Sequence, residues 1–258
     1  MKRLEGKVAL IPGTARGQGR AAALRFAAEG ALVVGGDLRH EEALETQRLI
    51  AREGGTALTP GPLDVTDEDS VRAWVEEAAD AFGGVDIVYA DAGAVRFGGI
   101  GDRPYDDFSF TPRAELDSVR LTVRAAWRHL VAGRGCVLTV GSTAGLTGSL
   151  TDRRTARSAA KGAVIALTRQ LAAEGAPYGV RANCVSPGPI DTEGSRTGLP
   201  ADGHPMRGIA RHIPLGRVGA PDVVSAAVFL ASDEASCITG AHLVVDGGWS
   251  AVLPGATP

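Results

Sequence analysis

A doubly wound α/β fold, seven parallel strands with helices on both faces, is what this 258-residue chain predicts. Three observations lead there. Short runs rich in Val, Ile and Leu alternate with longer helix-like stretches from one end to the other. The short runs do not alternate apolar with polar residues, which is how parallel strands buried on both faces read. No linker or repeat interrupts the pattern, so residues 1–258 are expected to form one domain.

The strands are expected at 7–11 (KVALI), 31–37 (ALVVGGD), 56–64 (TALTPGPLD), 85–90 (VDIVYA), 135–141 (GCVLTVG), 180–186 (VRANCVS) and 242–246 (HLVVD). Helices are expected between them at 17–29, 41–53, 67–82, 113–132, 155–174 and 220–231. Strand–helix alternation at this spacing means βαβ units with right-handed crossovers, which place helices on both faces. Ligands in such sheets bind beyond the carboxyl ends of the strands.

Composition narrows the function. A net charge of −3 and an aromatic content of 5 % give neither the basic surface nor the stacking platform that nucleic acid requires. The cysteines, Cys136, Cys184 and Cys237, are far apart and are expected to be reduced. No CxxC and no histidine pair stands at ligand spacing, so no metal is expected. The apolar run in MKRLEGKVALIPG is too short for a signal peptide, and no stretch reaches the ~20 apolar residues that span a bilayer. A soluble cytoplasmic protein with a small-molecule substrate is expected.

The first chemical signal is PGTARGQGR, Pro12 to Arg20, placed where the first strand turns into the first helix. Gly13, Gly17 and Gly19 let backbone approach a pyrophosphate, and the helix N-terminus favours its charge. Asp37 ends the second strand, where a carboxylate accepts hydrogen bonds from adenosine ribose hydroxyls. The same carboxylate repels a 2′-phosphate, so NAD(H) is expected over NADP(H), although Arg16 or Arg39 could reach such a phosphate.

The spacing Gly13-x3-Gly17-x-Gly19 resembles the short-chain dehydrogenase/reductase family, and the resemblance continues along nearly the whole chain. LDVTD (63–67) is similar to the segment that sets Asp64 and Val65 beside the adenine. ADAG (90–93) stands where the family has NNAG and brings Asp91, Ala92 and Gly93. VGSTAG (140–145) presents Ser142 at the end of the fifth strand. SxxK is kept as Ser158 to Lys161. SPGPIDT (186–192) matches PG-x-V-x-T, and IPLGRVGAPDVVSAAVFLASDEASCITGAHLVVDGG (213–248) matches the C-terminal third. The resemblance implies a Rossmann-type fold and a dinucleotide held by Gly13, Arg16, Gly17, Gln18, Gly19, Asp37, Leu38, Asp64, Val65, Asp91, Ala92, Gly93, Lys161, Pro187, Gly188, Ile190 and Thr192. It also implies a substrate lid at 192–212, and a dimer or tetramer built through the central helices, VFLAS and the VVDGGWSAV tail.

In that family a tyrosine four residues before the lysine moves the proton, a serine holds the substrate oxygen, and an asparagine completes a relay. Here Ser142 and Lys161 match, Arg157 stands at the tyrosine position and Glu115 aligns with the asparagine. Pro12 replaces the usual threonine, and the loop STAGLTGSLTDRRTAR is two residues longer than usual. The catalytic candidates are therefore Ser142, Lys161, Arg157 and Glu115. A guanidinium cannot release a proton at neutral pH. Losing general acid catalysis costs roughly 3–5 kcal/mol of transition-state stabilisation, though arginine still stabilises an oxyanion. Hydride addition to an enone, with later protonation by water, would suit it.

Tyr105, in a loop after the fourth strand, is the one tyrosine that could reach the pocket. Glu115 could pair with Arg157 or Lys161, because the tyrosine-to-arginine and asparagine-to-glutamate changes offset in charge. Arg153, Arg154, Arg157 and Lys161 crowd one approach and could take an anionic substrate. Three functions stay open. One is an NAD(H)-dependent oxidoreductase of a small carbonyl, alcohol or enone. Another is a non-redox isomerase, cyclase or dehydratase using Ser142, Arg157, Glu115 and Asp152. The third is a pseudoenzyme.

Overall fold

The computed structural model describes residues 2–198, 208–219 and 223–252. Seven parallel strands form one sheet: β1 (Val8–Pro12), β2 (Leu32–Gly36), β3 (Thr56–Leu58), β4 (Ile87–Ala90), β5 (Cys136–Val140), β6 (Arg181–Pro187) and β7 (His242–Val245). Their order is β3-β2-β1-β4-β5-β6-β7. The order reverses between β1 and β4, which opens a crevice beyond their carboxyl ends. The register of β1 on β2 runs from Val8 opposite Leu32 to Pro12 opposite Gly36, so the Gly13 turn leaves the sheet level with Asp37.

Successive strand side chains point to opposite faces, and each face carries its own core. Ala9, Ile11, Tyr89 and Leu138 pack with Phe26 of α1 (Gly17–Ala28), Ile50 of α2 (His40–Arg52) and Val228 of α8 (Val223–Ala231). Val8, Leu10, Val88 and Val137 pack on the other face. They meet Trp74 of α3 (Glu68–Phe82), Val123 and Leu130 of α5 (Ser118–Gly133), and Val164 of α6 (Thr155–Gly175). Each fully buried Leu, Ile or Phe contributes roughly 1.5–3 kcal/mol. The α3 ends follow from sequence: the Asp67 carboxylate accepts from the Ser70 N–H at 2.7 Å, and Gly83 closes the helix at φ 84°.

Two expected boundaries move. The third strand stops at Leu58, because Pro60 and Pro62 have no N–H with which to continue the ladder. The helix expected at 113–132 begins earlier, as α4 (Tyr105–Pro112), and passes through a π-turn at Arg113–Asp117 before α5. Pro112 lies inside this helical run, where it cannot donate to the preceding turn, and the widened turn follows directly. The last helix is described from Val223, and 220–222 lie outside the described residues. Of the expected lid, α7 (Glu193–Gly198) and a short 3₁₀ turn at Ile209–His212 are described; 199–207 lie outside the described residues.

Candidate active site

The crevice at the strand reversal is a cleft of about 630 Å³. Its floor is the turn from β1 into α1. Gly13 and Gly17 have φ of 85° and 60°, which side chains rarely adopt, and a Cβ on Gly19 would overlap the Gly13 carbonyl. The N-cap residue Arg16 makes no side-chain cap bond to α1, which leaves the first N–H groups of the helix as donors beside the cleft. Arg16, Gln18 and Ala92 join these glycines along the wall, and Gln18 Oε1 is buried without a hydrogen-bond partner among the described residues.

At one end, Asp37, Leu38, Asp64 and Val65 close the cleft. The Asp37 carboxylate accepts from the Ala15 N–H at 3.2 Å and the Arg39 N–H at 2.9 Å, one bond to each oxygen. That fixes its orientation and leaves further lone pairs on each oxygen. Arg39 forms an ion pair with Glu42 at 3.3 Å, so its charge is already partly met. The glycine turn, the open helix end and the anchored carboxylate together fit a dinucleotide.

At the other end, four ionisable groups meet. Arg157 and Lys161 share one face of α6, and Glu115 reaches them from the π-turn. Arg157 Nη1 donates to Glu115 Oε1 at 2.7 Å, and Lys161 Nζ lies 3.7 Å from the same oxygen. Lys161 Nζ also donates to the Val140 carbonyl at 2.8 Å. Glu115 is 3 % exposed and Lys161 5 %, whereas the Arg157 side chain keeps 28 % of its surface exposed. Burial pulls the Lys161 pKa below its ordinary value, against the opposing pull of Glu115. Glu115 Oε2 has no hydrogen-bond partner among the described residues. Gly93 makes room for Glu115: a Cβ there would lie 3.0 Å from Glu115 Cγ. Asp91, at the end of β4, completes the cluster. Burial raises its pKa to about 6, with Lys161 and Arg157 lowering it less than burial raises it and Glu115 adding to the rise.

Residues 13–250 match the protein family described as enoyl-(acyl carrier protein) reductase. The chain is 38 % identical to 2,5-dichloro-2,5-cyclohexadiene-1,4-diol dehydrogenase of Sphingobium indicum over 96 % of this chain and 98 % of that one. It superposes with a TM-score of 0.89 on a short-chain type dehydrogenase/reductase from Mycobacterium marinum, at 35 % identity over 95 % of this chain and 96 % of that one. The chain belongs to the short-chain dehydrogenase/reductase family. Another member, 7α-hydroxysteroid dehydrogenase complexed with NADH and 7-oxo glycochenodeoxycholic acid, superposes with a TM-score of 0.89 at 29 % identity, covering 95 % of both chains.

Several residues singled out from sequence lie elsewhere than expected. Ser142 stands just beyond the end of β5, next to the cleft-lining Val140 and Gly141; it is 7 % exposed, and its hydroxyl accepts from the Ala144 N–H at 3.1 Å and caps its own turn. Pro187 and Thr192 reach the cleft, but Gly188 packs against Asp246 and Ile190 is buried in the core beside Gly219. Tyr105 does not take up the option of reaching the pocket: it is 77 % exposed and lines a separate hollow with Phe108 and Ala156. Tyr178 is also exposed, and Tyr89 is sealed beneath the sheet against Phe26. The basic approach divides as well. Arg153 pairs with Asp102, and Arg154 is buried and bonded to the Thr147 carbonyl at 3.4 Å. Both flank a second cavity with Asp152, away from the cleft, so Arg157 and Lys161 alone of the four serve it. Sequence reading missed Val95 and Phe110, which line the cleft near Glu115. Phe110 would have been found had the run YDDFSFTP been read as the start of the helix.

Among the described residues there is no cluster of His, Cys, Asp or Glu arranged to hold a metal. No described helix is long and apolar enough to cross a membrane.

Proposed function

We propose that this chain is an NAD(H)-dependent oxidoreductase of a small alcohol, carbonyl or enone, working with Arg157 where the family uses tyrosine. The observation that carries the reading is one continuous cleft with an anchored Asp37 at one end and the Lys161–Glu115–Arg157 cluster at the other. In this reading the chain acts as one dinucleotide-binding domain, assembled as a dimer or tetramer in the cytoplasm, with 192–212 as its substrate lid.

When bound, the nicotinamide supplies or accepts the hydride. The chain's residues do the rest. The N–H groups at the start of α1 bind the pyrophosphate, and Asp37 accepts from the adenosine ribose and disfavours a 2′-phosphate. Asp64 and Val65 flank the adenine. Asp91, Ala92, Gly93, Pro187 and Thr192 line the path to the catalytic end. Lys161, held on the Val140 carbonyl, donates toward the nicotinamide ribose. Arg157 donates to the substrate oxygen and stabilises negative charge that develops there. Ser142 accepts from the Ala144 N–H at the exit of β5, and its own O–H is left to donate toward the substrate oxygen.

A diol is the first substrate class to try, because a relative over nearly full length is named as a diol dehydrogenase. The test is nicotinamide absorbance with NAD⁺ and a panel of cyclic and vicinal diols, and with NADH and a panel of ketones and enones. A change with at least one of these is expected. Bound NADH with no change across both panels would refute the reading.

A further inference from the structure

The cluster contains an oxygen with nothing to accept from. Glu115 is almost wholly buried, yet it lines the cleft. Its Oε1 takes both cations, Arg157 at 2.7 Å and Lys161 at 3.7 Å. Its Oε2 is buried and has no hydrogen-bond partner among the described residues. A buried carboxylate oxygen without a donor is costly to keep. Two local features hold it there nonetheless. The π-turn after Pro112 sets residue 115 toward the cleft, and Gly93 has no Cβ to obstruct it. The two cations also fix the orientation of the carboxylate, so Oε2 is the oxygen left for a ligand.

Resting on the function proposed above, we propose that Glu115 Oε2 is the group that accepts the substrate hydroxyl proton, the role for which no cleft tyrosine is present. In alcohol oxidation the hydroxyl of a secondary alcohol donates to Oε2. The O–H bond breaks and its proton passes to Glu115. The C–H bond gives its hydride to the oxidised nicotinamide, and the C=O bond forms. In reduction the protonated Glu115 returns the proton to the oxygen as the hydride arrives. Arg157 steadies the oxygen from a second direction in both senses. The substrate this selects is a neutral alcohol or ketone: Glu115 already occupies the cations that an anionic substrate would need.

Trifluoroethanol tests this without turnover, since it is a strong hydrogen-bond donor that resists loss of hydride. Its binding to the protein loaded with NAD⁺ is followed by fluorine NMR, alongside a calorimetric titration with NADH. Wild type is expected to bind it. Glu115→Gln, measured at saturating NAD⁺, is expected to bind it about 10- to 100-fold more weakly, the loss of one hydrogen bond to a charged acceptor. In that variant the amide nitrogen turns away from Arg157 and presents a donor where Oε2 accepted. Glu115→Asp keeps a carboxylate and is expected to fall between the two, which preserves the test if the glutamine variant does not fold. Equal trifluoroethanol binding by wild type and either variant overturns the assignment, as does wild type that binds NADH but no trifluoroethanol. Wild type that binds no NADH overturns the proposed function, and this assignment with it.

Discussion

Asp91→Asn should make the protein more stable, and by an amount that grows with pH. The Asp91 carboxyl is raised from 3.8 to about 6, chiefly by burial. A carboxyl raised in the folded state is easier to fold protonated than ionised. Below about pH 4 it is protonated in both states and has no effect. Between pH 4 and 6 the unfolded chain ionises first, so stability falls as pH rises. Above pH 6 the deficit is constant. At 1.36 kcal/mol per pKa unit it amounts to about 1 kcal/mol at pH 4.5 and about 3 kcal/mol at pH 8. These are ceilings, because Asp91 opens onto the cleft and water screens part of the penalty. Asparagine mimics the neutral form and removes the deficit. The assay is urea unfolding followed by circular dichroism at both pH values, without nucleotide. The variant is expected to gain about 1–3 kcal/mol at pH 8 and clearly less at pH 4.5. An equal change at both pH values, or a variant no more stable than wild type at pH 8, would refute the argument.

Three further outcomes are expected. Arg157→Leu leaves Glu115 with Lys161 at 3.7 Å as its remaining cation, so urea unfolding should show a loss of about 2 kcal/mol, less than for a fully buried pair stripped of its only partner. Arg157→Tyr removes the guanidinium that steadies the substrate oxygen and adds a proton donor for a role Glu115 already fills, so ketone reduction should fall at least ~10-fold; steady-state rates at or above wild type would contradict the role given to Arg157. Gly19→Ala sets a methyl group against the Gly13 carbonyl, so calorimetry should show NADH affinity reduced at least ~10-fold, the equivalent of ~1.4 kcal/mol.

What the sequence made legible is what depends on spacing along one segment. The glycines of the first turn and Asp37 sit where the strand and helix periods put them. Arg157 and Lys161 share a face because four residues separate them on a helix. The meeting of Glu115 with both was legible from the charge balance between two helices expected to lie side by side. What escaped depends on packing between segments. Pro112 was in plain view, but that the helix would start before it and widen after it was not. The acidity of Asp91 is set by burial among groups from α6 and the π-turn. Ser142 turns its hydroxyl back on its own loop, and Arg154 folds under the loop after β5. Neither orientation follows from a motif match, because a motif fixes where a residue stands and not where its side chain goes.

The central claim is that the cleft binds a nicotinamide dinucleotide and prefers the form without a 2′-phosphate. Calorimetric titration of the purified protein with NADH, with NADPH alongside, tests it most directly. The expected result is saturable NADH binding with NADPH at least ~10-fold weaker, because the anchored Asp37 carboxylate would meet a 2′-phosphate as a like charge. Binding of neither nucleotide would contradict the account.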